Sequence, residues 1–257
     1  MHIDIISDTV CPWCYIGKRR IEQAVALRPH VDARLVWRPF LLNREMPSDG
    51  IDRNDYLVRK FGSEARVRRI YGAIAQAGQS VDIDFAFDRI DRTPNSVDSH
   101  RLVRFAQSRD CDVGIVEDLF NEYFIHGLDI GETDVLVEIG VRAGLPPGEL
   151  KEYLISDDDI DFVYDENNRA HRMGVNGVPA FVFQEGEDRI AEFAFKQIAK
   201  LTNGAYCRLD ANSAQTLREL LRAVAVFAAG GRLALQNMAR KEGGAILQIS
   251  NQVSKPG

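Results

Sequence analysis

Two cysteines separated by two residues, Cys11 and Cys14, lie near the start of the chain, between a segment with a strand pattern and a segment with a helix pattern. The residues before them, His2–Ser7, alternate in polarity and are rich in isoleucine, which is typical of a strand. The residues after them carry apolar side chains at helical spacing. Pro12 suits the first turn of a helix, where its fixed φ and missing N–H cost nothing. The pattern therefore predicts that Cys11 lies at a helix N-terminus.

This position predicts that Cys11 is a nucleophile. Unpaired N–H groups and the positive end of the helix dipole stabilise an anion there, and the thiolate is the reactive form of cysteine. Cys14 is then the resolving thiol, which releases a substrate held on Cys11 as a mixed disulfide. Trp13 supplies apolar contact but no cation, and Lys18, one turn beyond Cys14, is expected to point to solvent. The thiolate therefore depends on the helix end.

The same cysteine spacing also occurs in metal sites. A zinc site with four thiolates needs a second cysteine pair or a histidine cluster, and the other cysteines, Cys111 and Cys207, are single and far apart. A strand, a C-x-x-C pair and a helix opening a β-α-β unit are typical of thioredoxin-like redox proteins. We therefore predict a redox pair and no metal site, with an inert pair as the further alternative. Cys111 and Cys207 are expected to be spectators.

Composition and charge limit the partners of the chain. It has 257 residues, of which 45% are hydrophobic and 27% charged, as in ordinary globular proteins. A net charge of −6 disfavours nucleic acid or an anionic membrane as a partner. We see neither the pattern of a secretory signal nor an apolar run of about 18 residues that would span a membrane. These features predict a cytoplasmic protein, in which a disulfide between the cysteines would be catalytic and transient.

The rest of the chain alternates between a strand pattern and a long helical region. Ala33–Phe40 predicts a second strand, parallel to the first because one helix connects them. Between about Asp52 and Met173 we find helical patterns and no convincing strand. The predicted helices are Ser63–Ala77, a helix opened by Asn95 or Ser96 and reaching Gln107, Val113–His126 ending at Gly127, Thr133–Ala143, a short helix from Pro147, and Asp157–Met173. Val175–Phe183 then predicts a turn followed by a strand.

Three motifs carry a resemblance to a known family. They are CPWCYIG at 11–17, NSxDxHRL at 95–102 and GVxGVP at 174–179. Together they resemble the DsbA-like thioredoxin proteins, and most of all the FrnE-like branch, which is related to the 2-hydroxychromene-2-carboxylate isomerases and the kappa-class glutathione transferases. The resemblance covers roughly residues 1–183. It implies an α/β thioredoxin fold with an inserted all-helical domain.

The resemblance also implies a domain plan and a site. The plan is a first thioredoxin-like part at 1–45, a helical insertion at 46–173 and a second thioredoxin-like part with an atypical tail at 174–230. The end at 231–257 is expected to be frayed because its last residues are polar and contain glycine. Pro179 would be cis and face the cysteines, leaving the backbone of Val178 to pair with an extended substrate. The expected catalytic residues are Cys11 and Cys14, and the expected substrate-binding residues are Pro12, Trp13, Val178 and Pro179. His100, His126 and His171 are expected to be structural.

Three functions follow from these observations. The leading one is a thiol–disulfide oxidoreductase that acts on protein or peptide disulfides, without a bound cofactor and with glutathione as a candidate co-substrate. The second is a glutathione-dependent isomerase or transferase of the 2-hydroxychromene-2-carboxylate isomerase type. Members of those branches resemble one another in carrying serine where this chain has Cys11, which favours the first function.

The third function is a non-catalytic binding protein, because the tail departs from the family. Residues 205–210 and 217–231 resemble the end of a bacterial von Willebrand factor A-like domain, which suggests a fusion near Phe183. The metal motif of that family, D-x-S-x-S, is absent from the sequence. Residues 214–229 are also a good candidate for the closing helix of the thioredoxin-like part.

Overall fold

The computed structural model describes residues 2–27, 29, 32–109, 114–183 and 240. Residues 1–22 and 31–185 belong to one compact unit, and residues 23–30 and 186–257 to a second. The predictions for the von Willebrand-like tail and for the helix at 214–229 lie outside the described residues, as do Cys111, Cys207 and the end at 231–257 apart from Arg240.

A three-stranded sheet carries the cysteine pair. Its strands are β1 (His2–Ser7), β2 (Arg34–Pro39) and β5 (Ala180–Phe183), in the order β2-β1-β5. β1 runs parallel to β2 and antiparallel to β5. Helix α1 (Pro12–Ala26) connects β1 to β2, so the predicted parallel crossover is confirmed. Because β1 is the central strand, its isoleucines are the most buried of the sheet, and its carboxyl end delivers the chain directly to the cysteines.

The region between β2 and β5 is mainly helical, as predicted. Its α-helices are α2 (Arg53–Phe61), α3 (Glu64–Gln79), α4 (Val97–Gln107), α5 (Ile115–Asn121), α6 (Thr133–Arg142), α7 (Pro147–Ile155) and α8 (Ile160–Arg172). A 3-10 turn covers Phe87–Arg89, and a π-helical turn, Glu122–His126, extends α5. None of the helices in the described part of the chain is both long and apolar enough to cross a membrane.

The prediction that this region contains no strand is wrong. Two short strands, β3 (Ile51–Asp52) and β4 (Arg92–Thr93), pair antiparallel, with Ile51 opposite Thr93. A strand of two residues is too short to show the alternation that identifies strands in sequence. The pair joins the two ends of the segment that contains α2 and α3. Asp52 also accepts a hydrogen bond from the N–H of Asp55 as the N-cap of α2.

Helix boundaries follow the polar and glycine signals in the sequence. Ser96 occupies the N-cap position of α4, while the Asn95 side chain accepts a hydrogen bond from the N–H of Val97 at 2.9 Å. The π-helical turn ends at Gly127 with φ +77°, a left-handed conformation that favours glycine. The predicted start and end signals of these two segments are therefore confirmed.

Helix α1 packs its buried face against the helical region. The Tyr15 ring stacks on Phe120, with ring centroids 5.1 Å apart. The predicted solvent orientation of Lys18 is wrong: the residue is buried, and its Nζ lies 2.7 Å from Glu117 Oε2 and 2.6 Å from Glu22 Oε1. Glu22 is on the same helix, but Glu117 comes from α5, far away in sequence, so helical spacing within α1 did not indicate the buried ion pair.

The histidines that were expected to be structural, His100, His126 and His171, have different surroundings. The exposed His126 pairs with Glu122 at 2.9 Å, and the His171 ring lies 4.9 Å from the Phe40 ring. His100, on α4, is buried and lies 3.7 Å from Asp8. Its neighbour Arg101 is buried too, and it donates hydrogen bonds to backbone carbonyls at the end of α7, including that of Leu154 at 3.0 Å.

Candidate functional site

Cys11 lies at the N-terminus of α1, where the sequence predicted it. The N–H groups of Cys14 and Tyr15 donate to the Cys11 carbonyl at 3.0 and 3.4 Å, which closes the first turn of the helix. The N–H of Cys11 donates to the Asp8 carbonyl at 3.1 Å and fixes the turn after β1. Pro12 is the first helical residue. The chain thus turns from β1 directly into α1, and Cys11 stands at the positive end of the helix dipole.

The segment before β5 returns to the same place. The Cys11 thiol donates to the carbonyl of Val178, with 3.8 Å between sulfur and oxygen. The Val178–Pro179 peptide bond is cis. The structure therefore brings Cys11, Pro12, Val178 and Pro179 together from two parts of the chain that are more than 160 residues apart in sequence.

Burial differs among the residues of the C-x-x-C motif. The exposed fraction is 43% for Trp13, 4% for Cys11 and 1% for Cys14. Trp13 is thus the part of the motif that presents a large apolar surface to solvent. Cys11 keeps a small exposed fraction next to it, whereas Cys14 is enclosed. Both cysteines are free thiols.

The two thiols are also electrostatically different. Burial, the hydrogen bond with Cys11 and the charge of Cys11 raise the pKa of the Cys14 thiol well above its ordinary value. The backbone N–H of Asp8 lowers the same pKa, and the Asp8 carboxylate raises it. Cys14 therefore holds its proton while Cys11 is at the helix end, an asymmetry that suits one attacking and one resolving thiol.

The sequence did not indicate Asp8 as part of the site. This residue lies between β1 and α1 and is buried, and its carboxylate accepts hydrogen bonds from the N–H groups of Leu42 at 2.7 Å and Val10 at 3.3 Å. His100 Nε2 lies 3.7 Å from Asp8 Oδ1. The position of Asp8, three residues before Cys11 at the end of a strand, was the only available signal; nothing local connects it with His100.

A second missed group contains a buried cation. The guanidinium of Arg53 lies 5.1 Å from the centre of the Tyr71 ring, 5.6 Å from that of Phe87 and 6.0 Å from that of Tyr123. Burial raises the pKa of Tyr71, the Arg53 charge lowers it, and the charge of Cys11 raises it. Tyr71 is therefore within electrostatic reach of both Arg53 and Cys11. Arg53 is far from both cysteines in sequence, so local spacing did not indicate it.

The alternative in which the cysteine pair forms part of a metal site requires further ligand side chains nearby. Across residues 2–27, 32–109 and 114–183, no group of three or more His, Cys, Asp or Glu side chains is arranged to hold a metal ion. Cys11 and Cys14 instead lie in a hydrophobic cluster with Tyr15, Phe120 and other buried side chains. Such an environment suits thiol chemistry that depends on exclusion of water.

The chain matches a known family model over most of its length. The model describes the DSBA-like thioredoxin domain and matches residues 2–201. The match includes the cysteine pair, the helical region and the Val178–Pro179 segment, and it continues past Phe183. It confirms the family and the α/β thioredoxin fold that the three sequence motifs predicted.

Similar structures and relatives agree with this assignment. A probable DsbA oxidoreductase from Streptomyces coelicolor is 26% identical with a TM-score of 0.67, over 82% of this chain and 94% of that one. A putative protein disulfide isomerase from Nitrosomonas europaea is 15% identical with a TM-score of 0.56, over 73% of this chain and 86% of that one. The Bacillus subtilis protein YwbO is 22% identical over 183 residues, which is 71% of this chain and 86% of YwbO.

A solved 2-hydroxychromene-2-carboxylate isomerase shares the fold as well. It is 12% identical with a TM-score of 0.56, over 79% of this chain and 98% of that one. At such low identity the likeness concerns the fold alone, and one fold supports many unrelated reactions.

Proposed function

This chain belongs to the DsbA-like thioredoxin family, and we propose that it is a thiol–disulfide oxidoreductase acting on protein or peptide disulfides. The observation that carries the proposal is the asymmetry of the two thiols. Cys11 stands at the N-terminus of α1 beside the exposed Trp13, whereas Cys14 is enclosed and its pKa is raised by burial and by Cys11. A thiolate at a helix end attacks, and a protonated thiol behind it resolves.

The proposed reaction has two exchanges. The Cys11 thiolate attacks one sulfur of a substrate disulfide, so a Cys11–substrate bond forms and the other substrate sulfur leaves as a thiolate that takes a proton from water. Cys14 then loses its proton and attacks the Cys11 sulfur. The Cys11–Cys14 disulfide forms, the second substrate thiolate leaves, and the substrate has been reduced by two electrons. In the reverse direction the same pair oxidises a dithiol substrate.

The proposed substrate-binding surface consists of Trp13, Pro12, Val178 and Pro179. The Val178 carbonyl lies within 3.8 Å of the Cys11 sulfur, so a backbone segment that pairs with Val178 would bring its own disulfide to Cys11. Extended peptides bind in this way when they add to an exposed strand. The apolar face of Trp13 offers contact to side chains beside such a segment. These features favour peptide and protein disulfides as substrates.

The use of glutathione as a co-substrate and the cytoplasmic location are predictions from the sequence. The isomerase alternative rests on the shared fold, and the dithiol at Cys11 and Cys14 favours redox chemistry over it. A chromene-carboxylate isomerisation assay with glutathione distinguishes the two reactions directly.

Reduction of insulin tests the proposed function. The protein should accelerate insulin precipitation with dithiothreitol as electron donor, and replacing dithiothreitol by glutathione tests the co-substrate. Cys111 and Cys207 are replaced by serine throughout, so that the motif supplies the only thiols. The unmutated chain is the protein in this background with Cys11, Cys14 and all other residues in place. Cys11→Ser should abolish the acceleration. An unmutated chain no faster than dithiothreitol alone, or a Cys11→Ser variant as fast as the unmutated chain, would overturn the proposal.

A further inference from the structure

Asp8 and His100 form a buried pair beside the cysteines whose role the proposed function leaves open. The exposed fractions of Asp8 and His100 are 1% and 4%, and they meet from opposite sides of the site, since Asp8 follows β1 and His100 is on α4. Asp8 is tied to the cysteines, because its carbonyl accepts the N–H of Cys11 at 3.1 Å. The Asp8 carboxylate also acts electrostatically on the Cys14 thiol, after burial and Cys11 itself.

The contact between the pair is incomplete. The distance from His100 Nε2 to Asp8 Oδ1 is 3.7 Å, longer than a direct hydrogen bond. Nε2 is buried and has no hydrogen-bond partner among the described residues. A buried polar atom without a partner is unfavourable, and polar groups at such a distance are often joined by a water. A histidine with only a structural role would be expected to satisfy this nitrogen.

A cleft reaches His100 from outside. The side chains that line it include Ser7, Thr9, Trp37, Arg38, His100 and Gln107. The cleft has room for about one ordered water molecule. A space of this size admits water and protons but no organic substrate.

The other charged groups around the cleft contact groups other than His100, so Asp8 is the charged residue next to it. Arg38, on β2, donates to Asp4 at 3.0 Å. Arg104, on α4 itself, lies 3.7 Å from Asp159 and over the ring of Phe162. The lining from α5 and α8 is apolar, namely Val116 and Phe162. Within the described part of the cleft and its neighbours, Asp8 is therefore the carboxylate that faces His100.

We propose that His100 relays the proton of Cys14, through Asp8, to water in this cleft when Cys14 resolves a mixed disulfide. The inference rests on the proposed function. In this step the proton of Cys14 passes by way of a water molecule to the Asp8 carboxylate, Cys14 attacks the Cys11 sulfur, and the Cys11–substrate bond breaks. The proton passes from Asp8 to His100 and then to water, while the substrate leaves as a thiolate. His100 touches neither the substrate nor the reacting sulfurs, so it is a positioning and relay residue.

Stopped-flow reaction with 5,5′-dithiobis(2-nitrobenzoate) separates the two exchanges in the Cys111→Ser, Cys207→Ser background. The first thionitrobenzoate is released when Cys11 attacks, and the second when Cys14 attacks the mixed disulfide. Thionitrobenzoate leaves as a stable anion, so the proton lost in the second phase is that of Cys14. The variant is His100→Gln, and the matched control is His126→Gln, which makes the same change at an exposed histidine.

The relay predicts that His100→Gln leaves the first phase unchanged and slows the second by about 10²-fold near neutral pH, the lower end of what acid–base assistance contributes. The deficit should shrink as the pH rises, because hydroxide then removes the proton. His126→Gln should match the unmutated chain in both phases. A second phase of normal rate in His100→Gln, or a deficit that is equal at every pH, would overturn the relay.

Two further measurements test the relay if the His100→Gln variant does not fold. In His100→Ala, added imidazole should accelerate the second phase alone, because it replaces the missing ring; no acceleration in a folded His100→Ala variant would contradict the relay. In the unmutated chain the second phase should slow in deuterium oxide more than the first, and equal slowing of both would contradict it. If the unmutated chain shows neither phase, the proposed function itself fails.

Discussion

Gly17 of α1 faces the ring of Pro179. A methyl group at Gly17 would lie 2.7 Å from Cγ of Pro179 and 3.4 Å from Cζ of Phe181. The first distance is far shorter than a normal carbon–carbon contact. The absence of a side chain at Gly17 therefore lets the segment that carries Val178 approach the helix that carries Cys11.

Gly17→Ala should destabilise the protein even though alanine favours helices. The added methyl overpacks this contact, which typically costs about 1–3 kcal/mol, and displaces Pro179 from α1. We also expect slower insulin reduction, because the Val178 carbonyl moves with Pro179. Urea denaturation measures the first effect and the insulin assay the second.

The control for this change is Gly72→Ala on α3. A methyl group there meets no atom within 4 Å, so the substitution should be neutral or stabilise by up to about 1 kcal/mol through helix propensity. If Gly17→Ala behaves like Gly72→Ala in stability and activity, Gly17 does not set the approach of Pro179.

Lys18→Met should destabilise the protein by about 2 kcal/mol, between the values for surface and fully buried ion pairs. The lysine is buried between Glu22 and Glu117, whose side chains keep 41% and 24% exposure. Its removal leaves Glu117 with Arg19 as the remaining ionic partner. The free energy of unfolding from urea titration measures the effect.

Arg68→Met provides the comparison, because Arg68 and Glu64 form an exposed pair of the i, i+4 type at 3.3 Å. This substitution should change the stability by less than about 0.5 kcal/mol. If Lys18→Met and Arg68→Met lower the free energy of unfolding equally, the buried ion pair contributes no more to stability than the exposed one.

Local patterns predicted the parts of the site that are close together in sequence. The alternation of His2–Ser7 and the proline at position 12 were sufficient to place Cys11 at a helix end, because strand and helix periods are properties of short segments. The motif at 174–179 located Val178 and Pro179 only through a family resemblance. No periodicity within that segment brings it to Cys11.

The contacts that arise from tertiary packing could not be predicted in this way. His100 reaches Asp8 and Glu117 reaches Lys18 across more than 90 residues of sequence. His100, Glu117 and Lys18 carry no local sign of these contacts when each helix is considered alone, and Asp8 lies between β1 and α1. Their burial follows from the docking of α4 and α5 against the start of the chain, which a helical period does not specify.

The raised pKa of Cys14 predicts a loss of stability at alkaline pH. Burial and Cys11 raise this pKa in the folded state, so the folded protein retains a proton that the unfolded chain releases above about pH 8.5. The contribution is fully present below that value and is lost as the pH rises towards the folded pKa. The urea midpoint of the reduced protein should therefore fall between about pH 8.5 and 10.

Cys14→Ser is the control for this dependence. Serine does not ionise in that range, so the fall should be smaller in the variant. Burial and the hydrogen bond to Glu117 raise the pKa of Tyr15 to about 12, and its contribution is lost only above the ordinary tyrosine value of about 10. An equal fall in the two proteins below that pH would contradict the assignment to Cys14.

Trapping of mixed disulfides tests the central claim most directly. The Cys14→Ser and Cys11→Ser variants, in the Cys111→Ser, Cys207→Ser background, are incubated with insulin whose disulfide bonds are intact. The mixtures are quenched with acid and measured by intact mass under non-reducing conditions. The account predicts a covalent complex through Cys11 in Cys14→Ser, because attack proceeds and resolution is blocked, and none in Cys11→Ser. Equal trapping by both variants, or trapping by Cys11→Ser alone, would contradict the assignment of Cys11 as the attacking thiol and Cys14 as the resolving one.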